Sequence, residues 1–230
     1  MSAFERVLDD TGRRIVDGRM PAGGVLTVDA LVARHGVSRS IVREAVRVLV
    51  SLELVEARQR VGLRVLPEEA WNVLHPRVIH WRLAGDGVAR ATQLAELVAL
   101  RLAVEPAAAE AAALHAVGSE GSALLDLADG LARADGPAFL DADQAFHREL
   151  LRLSGNRMLQ RLGAVIDEAL ADRATRVVHA DPHDVALHAA VARAVAGGRP
   201  DDAAAAVREI VSRTAAEPSD SAAGAGGPLG

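Results

Sequence analysis

No cysteine occurs anywhere in the 230 residues. Disulfides and thiolate metal sites are therefore excluded, and a reducing compartment is expected. Lysine is absent as well, so all 26 basic side chains are arginines. Together with the excess of alanine this reads as a compositional bias of the source, not a functional choice. Aromatic residues make up only 2% of the chain while half of it is hydrophobic. The core must accordingly be built from Leu, Val, Ile and Ala. No apolar run approaches the roughly 20 residues of a membrane-spanning helix. Asp9 and Asp10 interrupt the N-terminus where a signal peptide would need an apolar stretch. The expectation is a cytoplasmic protein without a membrane partner.

What is present is unevenly charged. Residues 1–66 hold 11 Arg against 8 acids, a charge of +3, and residues 67–230 hold 15 Arg against 23 acids, a charge of −8. A basic head on an acidic body suits one domain that binds nucleic acid and one that stays off it.

The head carries the densest pattern. Val28 to Arg34 reads as a short helix, followed by the turn His35-Gly36-Val37. A second helix opens at Ser38, whose hydroxyl can accept a bond from a free amide of the first turn. On that helix Val42, Ala45, Val46 and Leu49 face one way, while Arg39, Arg43 and Arg47 recur four apart on another face. Two helices around a tight glycine turn, the second with a basic outer face, form the layout of a DNA-reading helix-turn-helix. Arginine suits the task because its fork can bind guanine with two hydrogen bonds or hold a phosphate. Val55–Arg58 and Leu63–Leu66 read as two short strands around a turn containing Gly62, with Arg58, Arg60 and Arg64 beside it, which makes a wing. Phe4, Val7, Leu8, Thr11 and Ile15 recur at helical spacing and supply a third helix. A helical hairpin with a solvated basic face would explain the arginine row alone; row, turn, cap and wing together favour DNA. The candidate DNA-binding residues are Arg34, Ser38, Arg39, Ser40, Arg43, Arg47, Arg58, Arg60 and Gly62.

The segment GVSRSIVREAVRVL resembles the recognition segment of GntR-type winged-helix regulators, whose pattern is roughly Gly-Val-Ser-Arg-x-x-Val-Arg-Glu-Ala. The resemblance covers residues 4–66 and implies a winged helix-turn-helix. Two departures stand out. Leu26-Thr27-Val28-Asp29 replaces the usual Leu-Pro-Ser-Glu, and Gln59-Arg60-Val61-Gly62 replaces the usual Arg-Gly-Arg-Gly.

Beyond Pro67 the pattern is helical. Segments at about 71–84, 92–115, 120–133, 137–154, 156–178, 183–197 and 201–214 show helical spacing between Gly, Pro, Asp and Asn breaks. The expected architecture is mainly α. A winged helix-turn-helix occupies residues 1–66, an all-helical bundle that binds ligand and dimerises occupies 67–214, and 215–230 is a disordered tail. Pro106 is expected to kink or split its helix, and Pro200 to sit in the first turn of the last one.

The bundle places charge on apolar stripes. Asp143 and His147, four apart, share a face with Phe139, Phe146 and Leu150. His188 sits beside Leu187, Val191 and Val195. Arg101 lies among Leu94, Leu97 and Val98, with Glu105 one turn on. Such groups cost free energy unless paired or bound to metal or ligand. Each alone reads as a satisfied core residue or an i,i+4 pair. Jointly they predict a polar pocket, with Arg101, Asp143, His147 and His188 as effector-binding residues.

FDADQAFHRELLRLSGN, LHAAVARAVAGGRPDDAAAAVREI and RLAVEPAAAEAAA resemble the helical ligand domain (FCD) of the FadR subfamily of GntR regulators, over about 71–214. That resemblance implies a divalent metal held by an Asp, a His four residues on, and two later histidines 22 apart. Asp143, His147 and His188 match the first three positions, and Ile210 falls at the fourth. The set is incomplete but suits Zn, Mn or Ni. WNVLHPRVIHWRLAG further resembles the linker of galactonate operon repressors, which implies a sugar-acid effector. A carboxylate could pair with Arg101 while hydroxyls bond Asp143, His147 and His188.

The resulting expectation is a non-enzymatic, ligand-responsive transcriptional regulator. It would act as a repressor on a pseudo-palindromic double-stranded operator, as a homodimer, released by a small carboxylate. The alternatives are a metal-dependent hydrolase or isomerase using the Asp143/His147/His188 cluster, and a constitutive DNA-binding protein without effector.

Overall fold

The structure, a computed structural model, describes residues 1–59, 61–85, 87–116, 119–174 and 181–216. Two compact units divide the chain, Met1–Leu94 and Ala95–Gly230.

The first unit opens with α1 (Ala3–Val16), capped by Ser2, whose hydroxyl accepts from the Glu5 amide. Val7, Leu8, Thr11 and Ile15 are buried along one face, at the spacing expected of the packing helix. Helix α2 (Val28–His35) starts at the cap Thr27 and ends at Gly36, whose φ of 63° places it in the left-handed region. Helix α3 (Arg39–Ser51) starts at Ser38. Its buried stripe is Val42, Ala45 and Leu49. Strands β2 (Val55–Arg58) and β3 (Gly62–Val65) pair antiparallel in the register Val55↔Val65 to Arg58↔Gly62. A further strand, β1 (Val25–Leu26), adds to the free edge of β3. Two residues are too short to show alternation, so nothing in the sequence marked it. Gly62 has a φ of 109°, and a Cβ there would lie 2.6 Å from the Leu26 carbonyl oxygen. The one wing glycine that is kept is therefore required twice, by conformation and by space.

The compact unit that contains the winged helix expected at residues 1–66 runs on to Leu94. Two expectations need correcting. The expected 71–84 helix is a single turn of 3-10 helix at Glu68–Ala70 followed by α4 (Pro76–Leu83), which starts where Pro76 allows it. Val78 and Trp81 of α4 are fully buried in the core of the head. Trp81 stacks so closely on α1 that a Cβ at Gly12 would sit 2.4 Å from its ring. Trp81 Nε1 donates to Asp9, and Arg77 donates to both Glu5 and Asp9. Helical periodicity shows that a face is apolar, not which core covers it.

The second correction concerns helix continuity. Helix α5 (Gly87–His115) carries Pro106 inside it without being split. It begins before the expected residue 92. In the body follow α6 (Ser119–Arg133), α7 (Pro137–Leu153), α8 (Arg157–Arg161), α9 (Gly163–Ala174), α10 (Pro182–Ala196) and α11 (Pro200–Ala216). The segment expected as one helix at 156–178 is α8 plus α9, broken at Leu162, and 175–180 lie outside the described residues. Pro200 opens the last helix as expected. Of the expected tail, 217–230 lie outside the described residues, and 215–216 continue α11.

The core of the body is largely alanine and aliphatic. Ala109, Ala112, Ala113 and Ala128 pack with Leu124, Leu150, Val191 and Val207, and Phe146 is its one buried aromatic ring other than histidine among the described residues. Small side chains let the helices approach closely, and that tight packing does the work larger rings do elsewhere.

Candidate functional site

Helix α3 presents its arginines to solvent. Ser38 is spent on the cap, its Oγ accepting from the Ile41 amide at 3.4 Å. Arg39 pairs with Asp29 of α2 at 2.7 Å, and Arg47 with Glu44 at 2.5 Å. Arg43 is exposed and has no ion-pair partner among the described residues. Ser40 is exposed beside it. On the wing Arg58 pairs with Glu56 at 2.7 Å, and Arg64 is exposed on β3. Arg60 lies outside the described residues. Arg34 is bound to Asp10 of α1 at 2.9 Å, a contact that ties α2 to α1. Arg39, Arg43 and Arg47 thus share one exposed face, and Arg34 stands apart, engaged with α1.

Exposed pairs of this kind stabilise by about 0–1 kcal/mol. A nucleic-acid phosphate can therefore displace Asp29 or Glu44 at little cost. Arg43 needs no such exchange.

The body places its polar residues in the opposite environment. Arg101, Glu105, Asp143, His147 and His188 are all buried, none more than 3% exposed. Helix α5 supplies the first two, α7 the next two and α10 the last. They form a chain of contacts. Arg101 Nε donates to Glu105 Oε1 at 2.5 Å. Glu105 Oε2 lies 2.6 Å from His147 Nδ1, poorly aligned for a hydrogen bond. His147 Nε2 is 3.5 Å from Asp143 Oδ1, and His188 Nε2 is 3.0 Å from the same oxygen. His188 Nδ1 donates to the Asp184 carbonyl at 2.7 Å, in the tautomer that leaves Nε2 free.

Burial alone would raise the Glu105 carboxyl, but Arg101 and His147 outweigh it and hold it at about 2. Burial likewise works against the Asp143 carboxylate, and the two histidines outweigh it, well below the usual carboxylate range. For His147 burial favours the neutral ring, yet Glu105 and Asp143 raise it to about 9. In the ion-free site His147 is therefore a cation between two carboxylates.

The residues fit a divalent ion. Asp143, His147 and His188 offer one carboxylate oxygen and two imidazole nitrogens that all lie within 4.8 Å of one another. The three facing atoms, Asp143 Oδ1, His147 Nε2 and His188 Nε2, are buried and make no hydrogen bond. Bonds of ~2.0–2.2 Å in a tetrahedron separate ligands by ~3.3–3.6 Å, close to the 3.0 and 3.5 Å found. The Asp184 carbonyl behind His188 and the Glu105 carboxylate behind His147 are the outer partners that metal-bound histidines use. Ile210 is buried in the apolar core with Val207 and Val211 and can ligate nothing.

Two features of this region escaped the sequence reading. Glu105 was matched with Arg101 alone, whereas it also faces His147. Asp184 pairs with Arg173 of α9 at 2.7 Å, both buried. Asp184 is in the first turn of α10, where an acid ordinarily just favours the helix N-terminus, so its position gave no signal. Its spacing four before His188 was the available clue.

Residues 4–65 match the family described as bacterial regulatory proteins, gntR family, and residues 96–213 match the FCD domain. The galactonate operon transcriptional repressor of Escherichia coli (strain K12) is 32% identical over 171 residues, 72% of this chain and 73% of that protein. A probable D-xylose utilization operon transcriptional repressor of Paenarthrobacter nicotinovorans is 32% identical over 162 residues, 68% of this chain and 61% of that protein. The solved structure of Streptococcus agalactiae GntR superimposes with a TM-score of 0.50 at 24% identity, covering 93% of this chain and 99% of that one, a likeness of fold. The chain belongs to the gntR family of bacterial regulatory proteins and is a ligand-responsive, DNA-binding transcriptional regulator, not an enzyme.

Proposed function

We propose that the protein is a cytoplasmic repressor that binds a pseudo-palindromic operator as a homodimer and is released by a sugar acid entering the buried polar site of the body. The observation that carries this reading is the convergence of Arg101, Asp143, His147 and His188, from three helices, with unsatisfied atoms facing one another. Asp143, His147 and His188 would hold a divalent ion such as Zn, Mn or Ni, which would supply a positive centre for a carboxylate and a neighbouring hydroxyl.

Charge accounting supports an anionic ligand. Without an ion, Arg101 and protonated His147 balance Glu105 and Asp143. Ion binding requires neutral His147, so one proton leaves and two charges arrive. The site then carries one positive charge in excess, and a monocarboxylate neutralises it. Arg101 is the residue for the far oxygen of that carboxylate, exchanging Glu105 for the ligand. The names of the galactonate and D-xylose relatives support a sugar-derived compound.

On the DNA side Arg39, Arg43 and Arg47 enter the major groove, Arg58, Arg60 and Gly62 bring the wing to the backbone, and Ser38 and Ser40 sit at the helix start. One recognition helix covers few base pairs, which favours two copies on a symmetric site. The ligand must bind one arrangement of the two heads better than the other, since equal affinity shifts nothing.

The test is a thermal-shift and calorimetric screen of D-galactonate and other sugar acids, with and without Mn, Ni or Zn. A ligand at 100 times its dissociation constant stabilises by about 2.7 kcal/mol. The hit should be weakened at least tenfold by Arg101→Lys and should release an operator fragment. No binding by any sugar acid in any ion would remove the effector assignment. Binding that leaves DNA affinity unchanged would remove the coupling.

A further inference from the structure

We propose that the DNA-binding unit carries a second ligand site, for a phosphate-type dianion, in the cavity between the C-terminal turns of α1 and α4. The cavity measures about 690 Å³ and lies wholly within Met1–Leu94. That is the size range of small-ligand sites. The fully buried Trp81 contributes to its wall, and the first turn of α5 reaches it through Ala89.

Its charge is unbalanced in a specific way. Among the described residues four arginines line it (Arg13, Arg14, Arg19 and Arg82) against two aspartates, Asp10 and Asp17. Both aspartates are already engaged. Asp10 accepts from Arg34 at 2.9 Å and faces His35, and Asp17 accepts from Arg19 at 2.9 Å. Arg82 is tied through Nη1 to Glu68. Arg13 and Arg14 are left with no acidic partner among the described residues. Among the described residues the remaining balance is two positive charges.

Two of the lining arginines also have a bond left unmade. Arg82 is 6% exposed, yet its Nε is shielded from solvent and bonds nothing. The Nε of Arg14 is in the same condition. Guanidinium forks that lack an acidic partner, such as those of Arg13 and Arg14, are satisfied best by an anion with several oxygens. Arginines in the last turn of α1 offset that helix's own dipole, which explains their charge. It does not explain why two of the lining arginines, Arg13 and Arg14, have no acidic partner among the described residues beside an open cavity.

A phosphate group reaches this site either as a free phosphorylated metabolite or as part of the DNA backbone. The experiment uses the full chain in low-chloride, phosphate-free buffer, titrated calorimetrically with inorganic pyrophosphate. Saturable one-to-one binding is expected, weakened at least tenfold in the Arg13→Gln/Arg14→Gln pair and largely restored by Arg14→Lys in an Arg13 background. The second arm measures affinity for a 30-base-pair mixed-sequence duplex against salt. If the pair loses pyrophosphate binding while the salt slope is unchanged, the ligand is a free anion. If the slope also falls by about one or two, the site takes a DNA phosphate. Tryptophan fluorescence melting confirms that the variant head is folded, because Trp71 and Trp81 are both in it. No saturable binding at millimolar pyrophosphate together with an unchanged salt slope, or pyrophosphate binding indifferent to the variants, overturns the proposal.

Discussion

The head and the body use the same residue, arginine, in opposite ways. In the head Arg39 and Asp29 pair while 65% and 67% of their side-chain surfaces stay exposed. In the body Arg101 and Glu105 pair at 3% and 0%. An exposed pair is worth little and exchanges freely, which suits a surface that must trade an internal carboxylate for a phosphate. A buried pair is costly to form and far costlier to break from one side, which suits a site that must respond to one ligand and ignore solvent. Burial therefore separates a surface that binds many phosphates weakly from a site that binds one anion selectively.

The sharpest way to break this comparison is to remove one partner of the buried pair. Arg101→Ala strands Glu105 next to His147 and should destabilise the body by about 3–5 kcal/mol. Replacing both, as Arg101→Met with Glu105→Leu, should recover most of that loss. The two tryptophans lie in Met1–Leu94, so their fluorescence reports the head alone and far-UV circular dichroism reports both units. The expected result is a lowered denaturation midpoint in the dichroism signal. A loss under 1 kcal/mol would mean that water reaches Arg101 and that its surroundings are not dry.

The second prediction concerns pH. His147 is raised from 6.5 to about 9 in the folded, ion-free protein. A raised histidine contributes stability that is fully present below the unfolded value and is lost as pH rises through the folded one. With chelator present, the stability of the body should therefore fall between pH 6.5 and about 9, and His147→Gln should flatten that decline. Glu105 and Asp143 act in the other direction, since both are held below their ordinary range. Their contribution is present above about pH 4 and fades on acidification. A body equally stable at pH 6 and pH 9, free of metal, would contradict the close Glu105–His147–Asp143 contacts.

These contacts also mark the limit of what the sequence could supply. Asp143 and His147 were legible because residues four apart on one helix share a face, and His188 because a histidine among Leu187, Val191 and Val195 is out of place. The recognition helix was legible from Ser38, the arginine spacing and the Gly36 turn. What escaped depends on packing between distant segments. Glu105 meets His147 across two helices 42 positions apart in the chain, and no local pattern encodes that. Trp81 belongs to the core of the head because it fits over Gly12, a fact about shape that periodicity does not carry. Strand β1 exists only because β3 offers an edge to Val25 and Leu26.

Within the head, the comparison sharpens when paired and unpaired arginines are separated. Arg43→Ala should weaken operator binding by roughly 1–3 kcal/mol if it reads a base, and change stability by less than about 0.5 kcal/mol. Arg39→Ala and Arg47→Ala should cost less, because each must first give up Asp29 or Glu44, and their loss should lower the salt slope by about one each. Fluorescence anisotropy with an operator fragment at several salt concentrations measures all three. Equal losses for Arg39, Arg43 and Arg47 would show that the internal pairs do not compete with DNA.

The smallest expected effect separates two neighbouring serines. Ser38 accepts the Ile41 amide and so holds the first turn of α3. Removing a serine cap costs about 0.5–2 kcal/mol, and the 3.4 Å length of this bond argues for the low end. Ser38→Ala should therefore lower the fluorescence-detected stability of the head by about 0.5–1 kcal/mol and weaken every DNA sequence alike, since a frayed start misplaces the whole recognition helix. Ser40 is exposed and makes no hydrogen bond through its side chain among the described residues. Ser40→Ala should leave the denaturation curve unchanged and alter only DNA affinity. The two variants thus divide folding from contact at positions two residues apart. An unchanged midpoint for Ser38→Ala would mean that the cap is not formed in solution, and that Ser38, like Ser40, acts only by touching DNA.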